Sequence, residues 1–471
     1  MHNSNTMLKI FSVCFAGVAL SCAAAPQADE IARENAHTEG RIVISNGSSR
    51  LRFSLDRRDA IYKCGEDATF TVTILSTNGA VATSGSVAWR MDNYGAHKFD
   101  EGEVDLANGN PFVVKGTMPT PGFLRLEVRG ERGRRLGAYS AAFEPEKIRV
   151  AVPKPADFDA FWDDAVARLD KEVPLDPRVE VVPGYSRNGV TLNRVSFATV
   201  GGERVYGVLG MPTDLSKGPF PVYVHCPGAG LGFCLKRCMK SCSPDRISLF
   251  MSIHSFPVQA TDEDTQPLYD SQEARWRGVH GKNLSRAYPV GGLTVSREAG
   301  HYFGKILGIN RAIDWVARLP QADFRHVAYS GASQGGGMGL ILAGLNKSIT
   351  HGYMGVPAMC DLLGCKADGR QSGWPRITEY ESQKDEARLS TIQQNAMYFD
   401  AAYFAERIRI PVRLSVGYAD ESCAPHSVLA AYNAIPSTDK RLYHGIGGLH
   451  SSLNAPAKEI DEWLGSGHGS R

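Results

Sequence analysis

Past its first 22 residues the sequence has no run of 18 apolar positions, which excludes a membrane-crossing helix in that part of the chain. It also lacks a charge imbalance. Lys and Arg number 52 against 50 Asp and Glu, for a net charge of +2. Neither a nucleic-acid surface nor a polybasic membrane surface is built from so even a balance. Cysteine is sparse: ten residues, of which Cys14 and Cys22 sit in the N-terminal segment, too few for a disulfide scaffold. Internal repeats and low-complexity tracts are missing as well. What the chain does have is 43% hydrophobic residues and a length of 471, too long for one ordinary core, so two domains are expected.

The N-terminus has its own grammar. Lys9 precedes the apolar stretch Ile10 to Leu20, followed by Ser21-Cys22-Ala23-Ala24-Ala25. A basic residue, an apolar run and small residues in that order predict an export signal over residues 1–22. Cys22 after Ala19-Leu20-Ser21 resembles an imperfect bacterial lipobox. Lipid attachment at Cys22 and plain cleavage nearby both stand at this point. Either places the mature protein outside the cytoplasm: periplasmic, membrane-anchored or secreted. Residues 23–40 are polar and patternless and read as a linker.

From 41 to 147 the chain reads as short strands. "TFTVTIL", "GSVAWRM" and "FLRLEVRG" alternate apolar and polar, and Asn78-Gly79, Asn93-Tyr94-Gly95, Asn108-Gly109-Asn110 and Thr120-Pro121-Gly122 separate such runs. This spacing predicts an antiparallel sandwich of immunoglobulin type. Trp89 and Tyr94 are aromatics on which a glycan could stack. Trp89 alternates with polar neighbours and reads better as core, so a spacer or packing role is preferred for this domain.

Near Pro153 the pattern changes. "PADFDAFWDDAVARLDKEV" sets Phe158, Phe161, Trp162, Ala165 and Leu169 at helical spacing, with Asp157 as the expected N-cap. Apolar runs dense in β-branched residues then alternate with helical ones. "FPVYVHC", "ISLFMSIH", "HVAYSGAS" and "IPVRLSVGYAD" predict strands of a parallel sheet buried on both faces. The expectation for 148–471 is an α/β fold with flanking helices. Cys234, Cys238 and Cys242, spaced C-x3-C-x3-C, would lie along one side of a helix. With no His pair or CxxC beside them, they predict a packed or partly oxidised helix face rather than a metal site.

One hexapeptide carries chemistry. "GASQGG" (331–336) follows the strand-like Val327-Ala328-Tyr329 and precedes the helix-like "GGGMGLILAGL". Strand, G-x-S-x-G, helix is the nucleophile elbow of α/β-hydrolases. The serine there takes a strained backbone conformation, and bulky residues at Gly331 or Gly335 would clash with the crossing elements. A serine hydroxyl needs an imidazole to take its proton and a carboxylate to orient that imidazole. In this fold the order is Ser, acid, His. Asp420 ends a late strand, and His450 lies in the glycine-rich loop of "KRLYHGIGGLHSS". His444 is nearer that strand, but it falls inside the apolar run and should pack beside the sheet. The oxyanion donors are then the amide after the nucleophile, Gln334 N–H, and one from the small-residue loop of "VYVHCPGAGLG", Ala229 N–H, with Gly228 its neighbour and alternative.

These residues resemble the acetyl xylan esterase and cephalosporin-C deacetylase family. The likeness runs through "PADFDAFWDD", "GASQGGGMGL", "VPAMCDLLG" with "SGWP", "MYFDAAYFAERIRIPVRLSVGYADESCAP" and the late "GLH", over roughly 150 to 465. The region ending "FEPEKI" looks like the accessory sandwich of some members. The resemblance implies a serine esterase that removes acetyl groups from short sugar chains without metal or cofactor. Its nucleophile falls on Ser333, its acid on Asp420, its base on His450. The family's ring-shaped hexamer raises a homo-oligomer here, and the departures that follow leave both that ring and the substrate preference open. The chain departs from the family in three places. Ala229 after Pro227-Gly228 stands where a tyrosine after His-Gly is usual. "SIHSFPV" (252–258) occupies the place of an Arg-Gly-Gln motif, and the later Arg277-Gly278 is not its equivalent. The acid motif reads Cys-Ala-Pro where Cys-Pro-Pro is usual. A peptidase or longer-chain carboxylesterase, or a glycan-binding surface lipoprotein with an inactive hydrolase fold, remains the alternative.

Overall fold

The computed structural model describes residues 41–46, 49–95, 97–280, 286–377, 386–451 and 455–465. The export segment with Cys22 and the linker at 23–40 lie outside the described residues.

Among the described residues nine strands run from Arg41 to Phe143: β1 (Arg41–Asn46), β2 (Ser49–Leu55), β3 (Ile61–Tyr62), β4 (Ala68–Leu75), β5 (Ser86–Asp92), β6 (Lys98–Asp105), β7 (Phe112–Gly116), β8 (Gly122–Arg129) and β9 (Arg135–Phe143). They form two sheets, β1-β2-β4-β7 and β3-β9-β8-β5-β6. Every pairing is antiparallel except β3 with β9. Alternation places Phe70, Val72 and Ile74 of β4 inward, and Phe53 stacks on Tyr139 across the two sheets at 5.6 Å. Trp89 is partly buried over Gly102, whereas Tyr94 is almost fully buried. Tyr94 is therefore no exposed glycan platform. With Ala60, Phe123 and Ala142 it joins the large core built mainly from residues beyond 148, so the sandwich packs directly on the rest of the protein.

The second half is one nine-stranded sheet. Its strands are β10 (Arg178–Arg187), β11 (Val190–Ala198), β12 (Arg204–Pro212), β13 (Phe220–His225), β14 (Ile247–Met251), β15 (Ala322–Ala332), β16 (His351–Gly355), β17 (Val412–Gly417) and β18 (Lys440–Gly445), in the order β10-β11-β12-β14-β13-β15-β16-β17-β18. The first three are antiparallel and β13 to β18 parallel. Side-chain alternation explains the unbroken apolar runs. Val222 and Val224, Leu249 and Met251, and Val327 and Tyr329 face one core, while Tyr223, Phe250 and Ala328 face another. Helices Phe158–Glu172, His301–Ala317, Gln334–Leu345 and Pro425–Ala434 contribute to the first core, and Leu235–Lys240 and Ala457–Gly465 to the second.

Two local expectations change. Asp157 does occupy the N-cap position of helix Phe158–Glu172, but its side chain caps nothing. It accepts instead from Arg297 Nη1 at 2.8 Å and from the Tyr398 hydroxyl, partners stronger than a backbone amide. The cysteine-bearing helix is also shorter than its spacing suggests. It spans Leu235–Lys240 and contains only Cys238, with Cys234 just before it and Cys242 just after. All three are free thiols. Burial pushes the Cys238 thiol well above its ordinary pKa and Cys242 up to about 12, so both remain neutral packing groups.

Candidate active site

The strand-to-helix corner at the end of β15 is sharply bent. Ser333 has φ 57° and ψ −124°, a conformation unfavourable for any side chain, and it sits one residue before helix Gln334–Leu345. Three backbone bonds hold it there. Ser333 N–H donates to Gly355 O at 2.9 Å, and its carbonyl accepts from Gly337 N at 3.0 Å and Ala358 N at 2.9 Å. The flanking glycines are spatial necessities. A Cβ on Gly331 would stand 2.5 Å from Gly335 O, and one on Gly335 would stand 2.2 Å from Cys226 O.

The structure brings Ser333, His450 and Asp420 into one line. His450 Nε2 lies 2.9 Å from Ser333 Oγ, and His450 Nδ1 lies 2.8 Å from Asp420 Oδ2. Asp420 is fully buried, and its other oxygen accepts from Ser422 N at 2.8 Å and Cys423 N at 2.9 Å. An acceptor at Nδ1 fixes the tautomer, leaving the Nε2 lone pair to receive the serine proton. The acid and histidine loops are joined, since Ala419 N donates to Gly448 O at 2.9 Å. Burial alone would lower the His450 pKa. The Asp420 carboxylate, with Cys423, outweighs it and raises that pKa well above the ordinary value. His444 is exposed, and its Nδ1 lies 2.9 Å from the Tyr418 hydroxyl, apart from the serine.

Among the described residues neither Gln334 N–H nor Ala229 N–H donates a hydrogen bond. Gly228, next to Ala229, lies within ordinary contact of Ser333, since a Cβ on it would be 3.9 Å from Ser333 Cβ. An amide with no internal partner is what holding an oxyanion requires.

Several supporting residues escaped the sequence reading. Tyr288 and Tyr302 hydroxyls both donate to Gln334 Oε1, at 2.6 and 2.8 Å. His254, in the segment that departs from the family motif, takes a hydrogen bond from Gln272 Nε2 on Nδ1 at 3.0 Å. Its Nε2–H then donates to Gly230 O at 3.2 Å, bracing the loop that carries Ala229. Burial lowers the His254 pKa to about 4, which keeps this tautomer neutral. No local pattern marks these residues, because their partners lie tens of residues away.

Asp420, Cys423 and His450 offer ligand atoms within 4.8 Å of one another. The carboxylate and imidazole are already engaged, and burial pushes the Cys423 thiol up to about 11, so this trio does not suit a cation. A cavity of about 720 Å³ opens elsewhere, lined by Arg168, Phe256, Gln272, Trp276, Glu298 and His301 and by none of the three aligned residues. Two pairs of its polar walls are bonded to each other, Arg168 to Glu298 and Gln272 to Ser255.

Comparison with known proteins agrees with this geometry. The chain is 28% identical over 393 residues to the acetyl esterase Axe7A of Xylanibacter ruminicola, covering 82% of this chain and 83% of that one. It shares its fold with acetyl xylan esterases from Paenibacillus sp. R4 and Thermoanaerobacterium sp. JW/SL YS485. Each gives a TM-score of 0.56 at 20% identity over 68% of this chain, and 98% and 96% of theirs. The family model described as acetyl xylan esterase (AXE1) matches residues 144–464, more than two thirds of the sequence, and by that match the chain belongs to the acetyl xylan esterase family and is a carboxylic ester hydrolase.

Proposed function

We propose that this protein removes acetyl groups from short acetylated xylan chains, with Ser333, His450 and Asp420 as its catalytic residues. The hydrogen-bonded line of the three side chains, at 2.9 and 2.8 Å, carries this reading. Ser333 Oγ attacks the ester carbonyl carbon while its proton passes to His450 Nε2. Asp420 orients the ring and stabilises the imidazolium. The carbonyl oxygen becomes an oxyanion held by the Gln334 and Ala229 amides. Collapse breaks the ester bond, and the sugar oxygen leaves with the proton from His450. Water, giving its proton to the same nitrogen, then attacks the acetyl-enzyme and frees acetate and Ser333.

We assign catalysis to 148–471 and an immunoglobulin-type sandwich to 41–147. The N-terminal segment fits export, with lipid attachment at Cys22 as one outcome, which labelled fatty-acid incorporation into wild type and Cys22→Ser decides. Acetate release from a panel of acetylated xylo-oligosaccharides, read beside Ser333→Ala, tests the function. Release by wild type and none by the variant is expected. Near wild-type hydrolysis by Ser333→Ala overturns the mechanism. Nitrophenyl-ester activity that rises from acetate to octanoate overturns the acetyl preference and favours a longer-chain esterase.

A further inference from the structure

The loop that presents Asp420 is gripped from outside its own fold. Tyr418, two residues before the acid, is fully buried, and its carbonyl accepts from the Tyr94 hydroxyl of the sandwich. Phe123 of β8 meets the Tyr418 ring edge-on at 4.9 Å. Glu421, the residue after the acid, pairs with two sandwich arginines, Arg125 Nη1 at 2.9 Å and Arg135 Nη2 at 2.8 Å. Arg125 is itself held: Nε and Nη2 donate to the two oxygens of the buried Asp92 at 2.9 and 2.8 Å. The sandwich also reaches the neighbouring loop, where Gln371 N donates to Tyr94 O at 2.8 Å, and Gln371 Nε2 donates onward to Glu421 O at 2.9 Å.

We infer that the N-terminal sandwich is a positioning module of the active site, with Tyr94 and Arg125 as positioning residues that hold the Asp420 loop against His450. The inference rests on the proposed role of Asp420. The physical argument is one of loop order. Residues 418–423 lie between the end of β17 and the helix Pro425–Ala434 and have no ladder of their own. Asp420 orients its carboxylate through Ser422 and Cys423 N–H, but these move with the loop. The loop is fixed partly from its own half, where Tyr418 N–H donates to Gly445 O at 2.9 Å, Ala419 N–H to Gly448 O at 2.9 Å and Arg376 to Glu421 O, and partly, on both sides of the acid, from β5, β8 and β9 and the turn after β5. A polar, bidentate Arg–Asp unit buried in one sheet makes a rigid post, and a carboxylate one residue from the acid is tethered to it. The sandwich then contributes to turnover without touching substrate.

The test uses the full chain with Tyr94→Phe, Arg125→Ala, Glu421→Ala and the Arg125→Ala/Glu421→Ala double variant, each checked for wild-type circular dichroism. Glu421 is partly exposed, so its truncation leaves the fold intact. A loosened acid loop lowers kcat roughly ten- to a hundredfold with KM within about twofold. Because Asp420 raises the His450 pKa, loosening also moves the acid limb of the kcat/KM profile to lower pH, a change that a purely structural role would not produce. The double variant should lose no more than the worse single one. Folded variants with wild-type kcat and an unmoved acid limb, or additive losses, overturn the inference. If Asp420→Asn is itself fully active, the role of Asp420 has failed. If Asp420→Asn is inactive while these variants are not, only the positioning role has failed.

Discussion

Asp420 Oδ2 stands 2.8 Å from His450 Nδ1, while Asp420 Oδ1 is saturated by two backbone amides of its own loop. One oxygen is committed to orienting the acid and the other to orienting the imidazole. Asp420→Asn keeps the size but presents an amide N–H to a ring nitrogen that must itself carry a proton. The ring would turn or change tautomer. The expected loss in kcat is roughly 10⁴-fold, as for other serine triads, with KM little changed. Steady-state kinetics on an acetyl ester checks it, and a loss under about tenfold would remove Asp420 from the mechanism.

The histidine sets the pH dependence. Burial disfavours its imidazolium, but the Asp420 charge more than offsets this, so the pKa lies above the ordinary value of 6.5. In the proposed mechanism the neutral ring is the general base. Activity of the free enzyme therefore falls as pH drops through that raised pKa, and the acid limb of kcat/KM is expected above pH 6.5. In Asp420→Asn the residual activity should show that limb moved to lower pH.

Gly335 and Gly228 should answer differently to the same methyl group. At Gly335 a Cβ would press within 2.2 Å of a backbone oxygen in the next strand's loop, and backbone cannot swing aside. Gly335→Ala is expected to cost about 1–3 kcal/mol or more, seen as a lower Tm or loss of folded protein. At Gly228 a Cβ would find its nearest neighbour at 3.8 Å, an ordinary contact. Gly228→Ala should keep the wild-type Tm.

Tyr288 and Tyr302 present two hydroxyls to one amide oxygen, that of Gln334, whose backbone N–H is the proposed oxyanion donor. Removing one donor should let the Gln334 backbone drift. Tyr302→Phe is expected to lower kcat about tenfold, the size of one buried hydrogen bond, with KM unchanged. A fall confined to Tm would mean that the pair serves packing alone.

Much of the site could be read locally. A serine at positive φ between glycines needs its neighbours small wherever it occurs, so the elbow announced itself within six residues. The order of acid and histidine came with the hydrolase pattern that the elbow signals, and the apolar runs then showed which late strand ends could carry them. Other features misled because competition among partners decided them. Asp157 looked like a cap, but Arg297 and Tyr398, more than a hundred residues on, take its carboxylate. The three cysteines suggested a longer helix than Leu235–Lys240, because spacing carries no information about where a helix stops.

By itself, then, the sequence determined which segments alternate with period two, where the chain must bend sharply, and which residues have the chemistry to act. These are consequences of side-chain size, backbone freedom and intrinsic reactivity, all of them local. Only the tertiary structure decided that Tyr94 is buried at a junction rather than displayed to a glycan, that two tyrosines support Gln334, and that sandwich arginines reach Glu421 beside the acid. Those contacts join residues separated by tens to hundreds of positions. They form because packing one apolar face on another leaves particular polar groups facing each other, and no local pattern in a single chain records which ones will meet.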